Sequence, residues 1–243
     1  MEDNYWLIRS EKYNNLEWVS DRPYMDNLIN GLDLDEDHLV LDVGTGTGVV
    51  AKNIKDKVSS VIAMDMSNDM LSKGSWDGVS FINYDIREPL FRKWVFDRIV
   101  ARMVFHHILE DIDDAFYNCY DNLKNGGKMV IAEAVPPSDS DLVVNWFSEM
   151  FSHKEYRITF VPGQLEKHMA DTGFLNIKSY FFSMPEFNVN NWIENSGLPK
   201  DKIDGIMQMH MDAPQEVKDA YDMRIERGTV LIDSKYTIVV GEK

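Results

Sequence analysis

Apolar residues run along this chain in two alternating rhythms. Short apolar runs at Leu39–Val43, Val58–Met64, Val79–Tyr84, Phe96–Ala101 and Lys128–Ala132 have the length and β-branched content of buried strands. Between them the spacing turns helical. Helix-like sequence follows Val49 to about Lys55, and Ser67-Asn68-Asp69 offers a start for Met70–Gly74. Ile108, Ile112, Ala115, Phe116, Cys119 and Leu123 share one face, with Gly126-Gly127 expected to stop that helix. Five strand-like units separated by helices predict an α/β fold with a doubly wound, mostly parallel sheet.

The flanks follow other patterns. Tyr5, Trp6, Arg9, Tyr13 and Leu16 recur at helical spacing over residues 4–19, and a second helix is expected over Tyr24–Gly31. Beyond Pro136-Pro137 the pattern predicts helices at Asp139–Phe151 and Gln164–Thr172, then a strand at Ile177–Met184. Asn188–Arg227 reads as two or three helices. Thr229–Val240 reads as a closing strand, or as a hairpin bent at Asp233-Ser234. No repeat, low-complexity tract or long linker divides the chain, so residues 1–243 are expected to form one domain.

Composition narrows the partners. The 243 residues are 44% hydrophobic, enough for a substantial core, and carry a net charge of −16. A surface that acidic repels phosphate backbones and anionic lipid, which argues against nucleic acid and membrane. Cys119 is the only cysteine, so no internal disulfide can form. Met1-Glu2-Asp3-Asn4 lacks the basic flank and apolar run of a secretory leader, and a cytoplasmic protein is expected. No Cys/His cluster has metal-site spacing, His106-His107 alone cannot make a zinc site, and no metal is expected.

The candidate chemistry begins where the first strand ends. A dinucleotide loop, G-x-G-x-x-G, would need glycine at position 49, where Val49 stands. The chain reads Asp42-x-Gly44-x-Gly46-x-Gly48 instead. An aspartate so close to the loop opposes a pyrophosphate and suits a cationic ligand, such as S-adenosylmethionine. Asp65, 21 residues after Gly44 and ending the second strand, is placed to accept both ribose hydroxyls. Asp85 ends the third strand, where a carboxylate can accept from an adenine amine, with Ile86 against the ring.

LDVGTGTG, VIAMDMS, NYDIRE, ARMVFHHI and LKNGGKMVIAE occur in order at these positions. With them the chain resembles the class I S-adenosylmethionine-dependent methyltransferases, above all the small-molecule branch related to the enzymes of ubiquinone and menaquinone synthesis. The resemblance covers residues 38–135 well and is looser on either side. It implies a seven-stranded Rossmann-like sheet with helices on both faces and a helical lid. Residues 1–37 would be an N-terminal helical cap, 38–135 the cofactor-binding core, and 136–243 the acceptor lid with C-terminal strands. It also implies that Asp42, Gly44 and Gly46 line the methionine moiety and that Asp65 holds the ribose. Met66 would cover the adenine, with Asp85 and Ile86 closing its edge. Arg102 would lie beside the methionine part, and Tyr13, Tyr5 and Arg9 would sit on a helix folding over the cofactor. S-adenosylhomocysteine would be the product.

Methyl transfer is an in-line displacement with a good leaving group, so positioning dominates. An alcohol or amine acceptor also needs a base. His106, His107 and Glu133 are the candidates, although helix capping and an ordinary turn carboxylate explain them too. His153, Lys154 and Arg157 form a basic group that could hold a carboxylate or phosphate, or simply a solvated face. Trp146 and Met150, with Phe147, Phe151, Trp192 and Tyr221, fit an apolar acceptor pocket or core packing equally. His210, among methionines, reads as packing. The expected activity is methyl transfer to oxygen or nitrogen of a small molecule, which could carry an anionic group. Carbon methylation of an activated ring, a nucleic-acid methyltransferase, a nicotinamide-dependent oxidoreductase and a non-catalytic S-adenosylmethionine-binding module are the alternatives. The chain could be a monomer or a homodimer.

Overall fold

A computed structural model describes residues 5–89 and 93–243; residues 1–4, including the acidic start, lie outside the described part. The cap comprises α1 (Tyr5–Lys12), two 3-10 turns and α2 (Arg22–Leu32). The core follows as β1 (Leu39–Val43), α3 (Val49–Ile54), β2 (Ser60–Asp65), α4 (Asn68–Ser72), β3 (Ser80–Asn83), β4 (Phe96–Arg102), α5 (Ile112–Asn122) and β5 (Leu123–Ala134). The last part holds α6 (Asp141–Lys154), α7 (Gln164–Thr172), β6 (Leu175–Asn188), α8 (Val189–Glu194), α9 (Lys200–Met211), α10 (Gln215–Ala220), β7 (Arg224–Glu226) and β8 (Thr229–Glu242).

These strands form one sheet in the order β3-β2-β1-β4-β5-β8-β6, with β7 hairpinned onto β8. β1 to β5 are parallel, and β8 runs antiparallel to both of its neighbours, β5 and β6. The order reverses beside β1, so a crevice opens at the carboxyl ends of β1 and β4, where such sheets bind ligands. Strand alternation sends Val40, Val100 and Val130 to one face, under α2, α3 and the lid helices. Leu41, Ile99 and Met129 go to the other, under α5 and α7. Among the described residues no helix is long and apolar enough to cross a membrane.

The differences from the sequence pattern are local. The helix expected over residues 4–19 breaks after Lys12 into 3-10 turns at Tyr13–Asn15 and Glu17–Ser20. α5 ends at Asn122, before the glycines; Gly126, at φ +76°, belongs to the irregular start of β5. Asp233-Ser234 does not bend the last strand. The hairpin turns earlier, at Arg227-Gly228, where both residues have positive φ and permit a tight reversal.

Candidate active site

β1 delivers the chain into a tight loop. Gly44 and Gly46 have φ of +61° and +59°, and a Cβ at Gly44 would lie 2.4 Å from Val104. The loop is pinned across β2: Thr45 N donates to Met64 O, and Gly46 N donates to Asp65 Oδ2 at 2.8 Å. Ser67 N donates to the other Asp65 oxygen at 2.8 Å. Burial raises the Asp65 carboxyl despite these two bonds. Asp65 therefore presents a fixed carboxylate at a strand end, beside Met66, Asp85 and Ile86, all lining one cavity of about 320 Å³. A carboxylate for a vicinal diol next to apolar walls for a ring fits an adenosine.

α1 and the 3-10 turns close over this crevice. Trp6, Arg9, Tyr13 and Trp18 line the same cavity. Arg102 lines it as well; its Nη1 donates to Val19 O at 2.9 Å and its guanidinium lies over the Trp18 and Tyr24 rings. Asp85 is not a free carboxylate, because Arg87 grips it from Nε and Nη2 and holds it below its usual range, with burial opposing. Met103, immediately after β4, has φ +59°, a strained conformation for a non-glycine residue, and lies in the cavity wall.

Beyond the crevice the cavity continues between α6, α8 and β8, lined by Phe147, Met150, Phe151, Trp192, Tyr221 and Tyr236. His106 and His107 stand at the junction on a 3-10 turn. His106 Nδ1 lies 2.6 Å from Glu133 Oε2, and Glu133 Oε1 accepts from Val104 N and His106 N. A proton on Nδ1 satisfies the contact. Burial pushes the Glu133 carboxyl up to about 7, against Arg157 and His107. Burial, then Arg157, holds His106 well below 6.5. The His107 ring lies edge-on to Trp6 and against His106, and burial, then His106, lowers it in the same direction. Both imidazoles are neutral at pH 7.

Sequence reasoning passed over Glu155. Its Oε2 accepts from Tyr5 OH at 2.5 Å and Lys154 Nζ at 2.6 Å, with Arg9 Nη1 at 3.3 Å. Arg157 Nη1 lies 3.8 Å from Oε1. Burial alone would raise this carboxyl, but Lys154, His107 and Arg9 outweigh it and hold it well below the usual range. His106, His107 and Glu155 place potential metal-ligand atoms within 4.8 Å of one another, a cluster the sequence did not suggest. Glu133 occupies one His106 nitrogen, and three cationic side chains crowd Glu155, which opposes a divalent ion.

Four expected site residues stand elsewhere. Asp42 is fully buried behind the loop and does not reach the cavity wall. Its Oδ2 accepts from Thr45 Oγ1 at 2.6 Å and Ala51 N at 3.1 Å, tying the loop to α3, and burial raises it to about 6 against the Thr45 bond. Glu133 lies behind His106, also outside the wall. Trp146 points to the neighbouring helix face, edge-on to His210 and Tyr221. His153 is exposed at the end of α6, whereas Lys154 is buried and Arg157 is packed on Phe151 at 4.2 Å, both in the cavity wall. The nominal basic face is thus an internal charge cluster.

Residues 18–179 match the family model of a methyltransferase domain. The chain belongs to this methyltransferase family. S-adenosylmethionine is the family's methyl donor, and the Asp65 crevice suits its adenosine. The methyltransferase is 28% identical over 128 residues to an uncharacterized methyltransferase of Staphylococcus carnosus, covering 51% of this chain and 62% of that protein. It is 25% identical over 92 residues to ribosomal RNA small subunit methyltransferase A of Alkaliphilus oremlandii, covering 36% of this chain and 32% of that one. The matches thus span less than two thirds of these relatives. The crystal structure of the YcgJ protein of Bacillus subtilis superposes with a TM-score of 0.81 at 19% identity, covering 92% of this chain and 99% of that one.

Proposed function

We propose that this methyltransferase moves the methyl group of S-adenosylmethionine to an oxygen or nitrogen of a small molecule, releasing S-adenosylhomocysteine. One observation carries the reading: the crevice at Asp65 and the aromatic chamber are a single cavity, so donor and acceptor can meet inside it. The bound donor supplies a methyl group on a positive sulfonium. The chain's own residues do the rest. Asp65 holds the ribose, and Gly44 and Gly46 keep the loop low enough for close approach. Trp6, Arg9 and Tyr13 cover the crevice and exclude water. His107, neutral at pH 7, accepts the proton of an alcohol or amine. Glu133 fixes His106 and the 3-10 turn that carries both histidines.

The partial likeness to an RNA-modifying enzyme raises a second reading. The net charge of −16 and the aromatic lining of the chamber favour a small acceptor over RNA. The test is a panel of small oxygen and nitrogen nucleophiles and a transcribed ribosomal RNA, each incubated with labelled S-adenosylmethionine. Label in a small product supports the proposal, and salt-sensitive label in RNA alone rejects it. Binding of S-adenosylhomocysteine without transfer to any acceptor would leave a non-catalytic module.

A further inference from the structure

The chamber holds more positive charge than it neutralises. Arg9, Lys154 and Arg157 converge on the single carboxylate of Glu155, and all four side chains are at least nine-tenths shielded from solvent. Glu133 is the other acid near Arg157, and it is engaged with His106 and two backbone amides. Burial, then Arg9, lowers the Lys154 ammonium to about 7 despite Glu155 beside it.

Two donors remain unspent. Arg157 Nη1 and Arg9 Nε are buried without a hydrogen-bond partner among the described residues. The remaining Arg157 bonds, to Ile158 O at 3.3 Å and Ala134 O at 3.4 Å, are long. An unpartnered buried guanidinium N–H is costly unless something completes it. Arg157 sits in the cavity wall, its plane against Phe151 and near Phe147, and Lys154 lies 5.5 Å from the Trp192 ring centroid. A guanidinium on an aromatic face, with an ammonium beside it, is suited to a planar or tetrahedral oxyanion attached to an apolar body.

We propose that Glu155 is a resident counter-anion, and that an oxyanion on the acceptor takes its place at Arg157 and Lys154. This rests on the small-molecule reading above and specifies its substrate class: an apolar or aromatic molecule bearing one carboxylate or phosphate. Glu155 then competes with the ligand, so its removal and the removal of Arg157 have opposite effects.

The test is calorimetric titration of the full chain with benzoate, phenyl phosphate and neutral benzamide. Benzoate or phenyl phosphate should bind at least about tenfold tighter than benzamide, corresponding to one charge-assisted contact. The arm that binds identifies carboxylate or phosphate as the recognised group. Glu155→Gln should tighten the oxyanion, and Arg157→Met should weaken it, each by about tenfold or more. Equal binding of benzamide, or an unchanged affinity in Arg157→Met, would overturn the proposal; the wild-type comparison decides it even if a variant fails to fold. S-adenosylhomocysteine is titrated separately. If it fails to bind while benzoate binds, the methyl-transfer reading falls and the oxyanion site stands.

Discussion

Glu133 Oε2 lies 2.6 Å from His106 Nδ1, and neither side chain is open to solvent. The same carboxylate accepts from the backbone of Val104 and His106, so one buried acid sets both the ring and the turn beneath it. The acid is thereby held behind the ring, outside the cavity wall.

Glu133→Ala should destabilise the protein by about 3 kcal/mol, because two backbone donors and an imidazole lose their acceptor in a closed site. Glu133→Gln keeps an acceptor oxygen and should cost about 1 kcal/mol. Urea denaturation of the two variants checks the order. Equal stability of Glu133→Ala and the unmodified chain would contradict the role.

Asp65→Ala should weaken S-adenosylhomocysteine by about 100-fold, the equivalent of about 3 kcal/mol of hydrogen bonds to a charged group. Asp65→Asn, which retains one acceptor, should fall between. Isothermal calorimetry gives both numbers, with circular dichroism confirming that the sheet persists. Affinity within twofold of the unmodified chain would remove the ribose assignment.

His107→Ala should lower turnover by about 100-fold while leaving donor affinity nearly constant, as expected for loss of a proton acceptor. Burial holds both imidazoles below 6.5, helped by Arg157 at His106 and by the His106 ring at His107, so each stays neutral as pH falls to 6.5. Turnover should therefore show no acid limb centred at the ordinary histidine value. A limb at 6.5 that His107→Ala abolishes would show an unperturbed imidazole instead.

His210 gives a pH signature in stability. Its Nδ1 donates to Ile206 O at 2.8 Å, its Nε2 has no partner among the described residues, and burial lowers it from 6.5 to about 4. Between those values the unfolded chain binds a proton that the folded chain refuses. The stability from this group is full above pH 6.5 and is lost as pH falls through 4, a span of about 3 kcal/mol. His210→Phe should lose correspondingly less stability between pH 6.5 and pH 4 in denaturation series. Parallel curves for the two proteins would contradict the shift.

Most residues expected at the donor share one cavity because they obey fixed intervals. Short apolar runs locate β1, β2 and β3, and the glycines and Asp65 fall at their ends whatever the surrounding packing. Asp42 lies outside the cavity wall: sequence tells that a residue is near a loop, not which side of it the carboxylate takes. The acceptor half hid for a related reason. On α6, Phe147, Met150, Phe151 and Lys154 follow i, i+3, i+4, i+7 spacing, which is the cavity face and excludes Trp146 and His153. Glu155 was obscured by the bases around it, which the fold turns inward with it.

β8 lies between β5 and β6, yet it follows both in the chain. It also furnishes Ile232, Ser234 and Tyr236 to the cavity wall. β6 therefore has no place in the sheet until β8 has emerged from the ribosome. The glycine loop and its strand-end carboxylates are all synthesised far earlier. During translation the two halves of the cavity come into being at different times, and its aromatic wall is finished last.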